Sequence, residues 1–230
     1  MASNPILNDL YPFLQAAPAP PVARLDAELL ESVRLKAEDG LAVKHRFFTT
    51  QSAKLIEVAK AIAGVYRRNG RLLTMGNGGS SCDASHIAVE FLHPITAGRP
   101  ALPAVNLDAD VAMLTAVGND VGFDHVFVRQ VVAHGRADDG LIGISTSGNS
   151  PNLLRAFEKA KSLGLVTIGL AGGNGGLMAK SADLDYCLVV ETDSIHRVQE
   201  CHVAIYHILW DLVHTLLADD RGMGQQRSRS

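Results

Sequence analysis

The sequence predicts an α/β fold: a three-layer αβα sandwich around a five-stranded, mostly parallel sheet, preceded by an N-terminal helical hairpin. Three observations predict it. Short runs rich in Val, Ile, Leu and Ala alternate with helix-compatible stretches, as they do when helices connect neighbouring parallel strands. The runs are almost continuously apolar, which fits strands covered on both faces. Two of them lead straight into turns dense in glycine and hydroxyl residues, and sheets of this kind hold ligands beyond the carboxyl ends of their strands.

The elements follow in order. Residues 1–22 form an N-terminal extension in which Ala17-Pro18-Ala19-Pro20-Pro21 is a stiff spacer behind a short apolar segment. One domain is expected over residues 23–218. It opens with a helix near Leu25 to Ala37 and a longer one near Val43 to Arg68. The longer helix carries Phe47, Leu55, Val58, Ile62 and Val65 at helical spacing and ends at Asn69-Gly70. Strands are expected at Leu72–Met75, Ala104–Leu107, Leu141–Ser145, Val166–Ala171 and Tyr186–Val190. A long apolar helix from about Ile195 to Leu217 closes the domain. Residues 219–230 read as a polar, disordered tail.

Composition narrows the classes of function. The 230 residues suffice for a real core, 47% are hydrophobic and 20% charged, and the net charge of −3 calls for neither nucleic acid nor an anionic membrane surface. The apolar runs read as too short to cross a bilayer, and the first residues lack the layout of a secretion signal. Three scattered cysteines do not make a disulfide framework. A cytoplasmic chain that binds neither nucleic acid nor membrane is therefore expected. Cys82 and Cys201 read as small buried hydrophobes.

The turn Ser145-Thr146-Ser147-Gly148-Asn149-Ser150 has four hydroxyls in six residues and Pro151 behind it. A strand that enters a helix through such a turn presents free N–H groups, the positive end of a helix dipole and neutral donors to an anion. Ordinary N-capping would need one hydroxyl. A second turn, Gly76-Asn77-Gly78-Gly79-Ser80-Ser81, lacks both the spacing of a dinucleotide fingerprint and the Lys of a Walker A loop. Together the two turns favour a small phosphorylated ligand over a nucleotide.

Downstream of the second turn, His86 and Glu90 share one helix face, where an imidazole and a carboxylate could meet one ion or one substrate. The last helix carries Gln199 and His207, with His202 and His214 as bystanders. Eight residues of helix rise about 12 Å and turn roughly 80°, so Gln199 and His207 meet one small ion only if the helix is irregular or different subunits contribute. We expect shared sites in a homo-oligomer.

These features together resemble the phosphoheptose (sedoheptulose 7-phosphate) isomerases of the SIS domain superfamily. The similarity covers residues 41 to 218 and is dense in Gly76–His86, Val117–Phe123, Gly143–Ser150 and Arg197–His207. It implies an aldose–ketose isomerase working through an enediol(ate), with Glu90 as general base and His207 as general acid. It implies a phosphate held by Ser145, Thr146, Ser147 and Ser150, and a sugar lined by Asn77, Ser80, Asp120 and Gln199. It also implies one zinc ion per site on His86, Glu90, Gln199 and His207, and a homotetramer with shared active sites. Pro94 and His196 stand where the family commonly has Arg and Asp around the sugar. Two alternatives share the resemblance. One is an isomerase of another seven- or eight-carbon sugar phosphate in secondary metabolism. The other is a non-catalytic SIS protein that binds sugar phosphates or serves as a scaffold.

Overall fold

The structure, a computed structural model, describes residues 26–220. The extension expected at 1–22 and most of the expected tail lie outside these residues. The chain divides into two compact units between Glu38 and Asp39. The described part of the first is the exposed start of a helix, where Arg34 pairs with Glu31 at 2.7 Å and also with Glu38.

One continuous helix, α1 (Asp26–Arg67), stands where the sequence reading placed a hairpin. Asp39-Gly40 looks like a break and is not one. Gly40 is buried, and a Cβ there would come within 2.9 Å of Glu200 Oε2 and 3.0 Å of Arg197 Nη1. The glycine gives room to the last helix instead of ending its own. Asn69, in the left-handed conformation at φ 59, and Gly70 terminate α1 as expected.

The remaining elements are β1 (Leu72–Gly76), α2 (Gly79–Leu92), β2 (Ala104–Asn106), α3 (Val111–Asp120), α4 (Val128–His134), β3 (Gly140–Ser145), α5 (Pro151–Ser162), β4 (Val166–Gly172), β5 (Tyr186–Val190) and α6 (Ile195–Asp220). The sheet order is β2-β1-β3-β4-β5, and every pairing is parallel. Side-chain alternation sorts the strands into two cores. Leu72, Ile142, Ile168 and Leu188 pack with α1, α2 and α6, whereas Leu73, Leu141, Ala171 and Cys187 pack with α3, α4 and α5. That is the three-layer sandwich.

Within α6, Ile195–Ala218 is long and apolar enough to cross a membrane by length and composition, with a mean hydropathy of 1.3, contrary to the sequence reading. Its apolar residues Val198, Cys201, Ile205, Leu209 and Val213 are spent on the first core, which accounts for that composition.

The chain leaves β1 toward β2 on one side, and β3 joins β1 on the other. Strand order reverses between β1 and β3, and in sheets of this kind ligands bind in the crevice at such a reversal, beyond the carboxyl ends of the strands. Both special turns border it.

Candidate active site

The crevice is bridged by a pair of amides. Asn77 Nδ2 donates to Asn152 Oδ1 and Asn152 Nδ2 donates to Asn77 Oδ1, each at 2.9 Å. Asn77, from the turn after β1, is thereby fixed against the first turn of α5. Asn152 was not singled out from the sequence. Its signal was a polar residue in the first turn of an amphipathic helix, on the side that is 1% exposed.

In the turn after β3, the hydroxyl expected of an ordinary N-cap is used differently. Ser150 occupies the N-cap of α5, yet its side chain makes no capping hydrogen bond. Its hydroxyl instead lies 2.8 Å from Ser145 Oγ, which is 3.4 Å from Ser147 Oγ. Three hydroxyls thus cluster over the helix start, with Thr146 partly exposed beside them. Gly148 holds φ 65, and a Cβ would strike Gly175 O at 2.1 Å. Only glycine lets this turn fold onto the loop after β4. That loop, with Thr146 and Ser147, borders a cavity of about 350 Å³ that reaches Asp193 and Val198.

Ser80 is buried on the first turn of α2, and its N–H donates to Asn77 O. Gln199 arrives above the same turn: a Cβ on Gly79 would meet its Nε2 at 2.3 Å. Asp108, also unremarked in the sequence, accepts from Gly76 N at 3.1 Å. Burial pushes its carboxyl up to about 7, against the pull of that hydrogen bond.

Farther along, α2 and α6 run side by side. His86 Nε2 lies 3.1 Å from Glu90 Oε1, and the His86 and His207 rings are 5.0 Å apart. Ligand atoms of His86, Glu90 and His207 lie within 4.8 Å of one another. Two imidazoles and a carboxylate form an N/O set with room for a further ligand, which suits zinc. Glu90 is anchored from behind, its carbonyl accepting from Trp210 Nε1 at 2.7 Å. Arg99 covers the Trp210 ring at 4.3 Å.

Gln199 does not join this trio within the chain. Helix α6 is continuous through both positions, so of the two alternatives an irregular helix is the one not seen, and Gln199 stays at the turn end, about 10 Å of helix axis from His86. Asp120 lies at the far end of α3, exposed, with its carboxylate accepting from Asn119 Nδ2. His207 is exposed rather than embedded, and Cys82 is exposed whereas Cys201 is buried. His202 is a bystander as expected: burial pulls its imidazole down to about 4, and Nε2 faces Ala171 O at 3.2 Å.

The chain matches the SIS domain model over residues 37–172. Phosphoheptose isomerase of Pelodictyon phaeoclathratiforme is 46% identical over 177 residues, 76% of this chain and 83% of that protein. That of Desulfovibrio desulfuricans is 44% identical, covering 83% and 90%. This chain belongs to the phosphoheptose isomerase family. Solved phosphoheptose isomerases from Francisella tularensis and Neisseria gonorrhoeae are each 36% identical and cover 80% of the chain. Their TM-scores are 0.76 and 0.75, with 97% and 98% of those chains matched.

For a member of this enzyme family, the two turns and the His86/Glu90/His207 group are thus the places to look for chemistry. Two buried residues behind that group add to it. Tyr206 Oη lies 2.8 Å from His86 Nδ1 and 3.5 Å from Asp83 Oδ1. Burial raises the Asp83 carboxyl, opposed by the Tyr206 hydroxyl, and burial also raises the phenol of Tyr206. Sequence reasoning missed both, although Asp83 lies three residues before His86 and Tyr206 directly precedes His207.

Proposed function

We propose that the chain isomerises sedoheptulose 7-phosphate to an aldose heptose 7-phosphate through an enediol(ate). The observation that carries this reading is the approach of Glu90 and His207 to a common centre beside His86, on two helices that begin near the anion turns.

The phosphate fits the hydroxyl cluster of Ser145, Ser147 and Ser150 with Thr146 and the N–H groups at the start of α5. Asn77 and Ser80 border the chain of hydroxyls beyond it. In the ketose, the carbonyl is at C2 and the mobile hydrogen at C1. Glu90 takes the C1 proton while His207 protonates the C2 oxygen, giving the enediol. Glu90 then returns its proton to C2, and the O1 proton passes back to His207 as the C1 carbonyl forms. Proton count and charge balance over the cycle. The Glu90 side chain is 25% exposed, sheltered enough to limit exchange with water. In a resting site His86, Glu90 and His207 would hold zinc, which would supply polarisation of a carbonyl oxygen; Glu90 and His207 act as base and acid only when they do not ligate the ion, so resting and catalytic geometries differ.

We place the working enzyme in the reducing cytoplasm as a homo-oligomer, a tetramer by family resemblance, with sites shared between subunits. Gln199 and Asp120 reach sugar or metal most simply from a neighbouring copy. Val89 and Leu92, on either side of Glu90, are 49% and 48% exposed, as expected of a surface that a second copy covers.

Incubation with sedoheptulose 7-phosphate tests the reading. Wild-type protein should form the aldose phosphate, and Glu90→Gln should lose about 10³-fold in kcat/KM. A wild-type protein inert toward six-, seven- and eight-carbon ketose phosphates, with and without zinc, would leave only a binding or scaffold role. Turnover of an eight-carbon substrate alone would redirect the assignment to a sister isomerase.

A further inference from the structure

We propose that Tyr206 and Asp83 form a positioning relay that holds His86 as its Nδ1–H tautomer and aims an unprotonated Nε2 at Glu90 and His207. The inference rests on the reading of His86, Glu90 and His207 as a metal-compatible centre, but its own evidence lies behind that centre.

Tyr206 is 3% exposed, and its hydroxyl stands between two polar groups, His86 Nδ1 at 2.8 Å and Asp83 Oδ1 at 3.5 Å. A phenol has one proton to give. An ionised carboxylate can only accept, whereas a neutral imidazole nitrogen either donates or accepts. With Asp83 ionised and His86 neutral, one arrangement satisfies all three groups: Nδ1–H of His86 donates to the Tyr206 oxygen, and the Tyr206 hydroxyl donates to Asp83. Reversing the phenol proton toward Nδ1 would leave the Asp83 carboxylate facing a phenolic lone pair in a buried site. Since neutral imidazole has one N–H, fixing it on Nδ1 leaves the lone pair on Nε2.

That lone pair faces Glu90 Oε1 at 3.1 Å. Two acceptors at that distance repel unless a cation or proton lies between them, so the relay turns the front of His86 into half of a cation site. The same pattern, a ligating histidine whose second nitrogen is held by a buried polar group, orients metal ligands generally. The relay also carries a cost that packing alone would not preserve: Asp83 Oδ2 is buried without a hydrogen-bond partner among the described residues.

Two readouts test the proposal. Histidine nitrogen NMR on labelled, metal-free protein, with His86 assigned by its loss in His86→Gln, reports the tautomer. Competition with a chromogenic chelator reports zinc affinity. In wild type, His86 should carry its proton on Nδ1. Tyr206→Phe, which removes only the hydroxyl, should mix the tautomers and weaken zinc by about 10–100-fold. Asp83→Asn should act in the same direction with an intact circular dichroism spectrum, and it decides the case if the Phe variant misfolds. Glu90→Gln should weaken zinc without moving the His86 tautomer.

A wild-type His86 protonated on Nε2 would overturn the proposal. So would a Tyr206→Phe protein that keeps both wild-type tautomer and zinc affinity. A protein that shows the tautomer and its loss but isomerises no sugar would sink the functional reading and leave the relay standing.

Discussion

The two ends of the crevice are built on different physical terms. At the turn end, hydroxyls, backbone N–H groups and the Asn77–Asn152 amide pair come from β1, β3 and the helices that follow them. Those groups are hydrogen-bonded within one chain, so the proposed anion site would be formed before any ligand arrives. At the helix end, a partly buried Glu90 on α2 and an exposed His207 on α6 come together. With His86 they form a group whose ligand atoms lie within 4.8 Å of one another. The difference teaches that the proposed phosphate cradle is encoded in the fold of a single protomer. The chemistry depends on side chains that need a further group, whether cation, substrate or second subunit, to complete their surroundings.

The comparison breaks most easily at the helix end. His207→Gln keeps the shape of the side chain but removes the proton donor, and kcat should fall about 10²-fold or more, with the affinity for inorganic phosphate unchanged. Equal losses in turnover and phosphate affinity would mean that the two ends are not separable. An unchanged kcat would remove His207 from the reaction.

A smaller, opposite signature belongs to the turn end. Ser150→Ala deletes a hydroxyl that caps nothing and hydrogen-bonds to Ser145. KM for the sugar phosphate should rise about tenfold, about 1.4 kcal/mol, with kcat nearly preserved, because the lost contact acts equally on ground and transition states. A variant whose kcat falls while KM holds would place Ser150 in the chemistry instead.

How much of this was legible in the sequence follows the same divide. All five strands were readable because each announces itself as a short apolar run: β1 and β3 are buried throughout, and the edge strand β2 still buries Ala104. The Tyr186–Val190 strand was placed to the residue, and the two ligand turns were legible from glycine and hydroxyl density. The continuity of α1 was not, because Gly40 reads as a stop locally. Only its 2.9 Å approach to Glu200 explains it. The Asn77–Asn152 pair and the Asp83–Tyr206–His86 contacts join residues 75 and 120 or more positions apart. No local pattern encodes such pairs. His207 looked embedded because its neighbours Val203, Ile205, Leu209 and Trp210 are apolar. Helical phase turns those toward the core and leaves His207 outward.

The smallest effect concerns a carboxyl that supports the turn end. Asp108 supports the turn end by accepting from Gly76 N, and burial raises its carboxyl from 3.8 to about 7. The folded state therefore keeps a proton that the unfolded chain has lost above about pH 4. The corresponding stability is fully present below that pH and disappears as pH rises through about 7. The full difference would amount to about 4 kcal/mol, and partial exposure to solvent reduces it to about 1–2 kcal/mol. Asp108→Asn retains an acceptor for Gly76 N and cannot ionise. Urea unfolding at pH 5 and pH 8 should show wild type losing stability between the two and the Asn variant losing less, so that the variant is the more stable protein at pH 8. If the two proteins keep parallel stabilities across that range, Asp108 is ionised in the fold and the turn end is held by a charged rather than a neutral carboxyl.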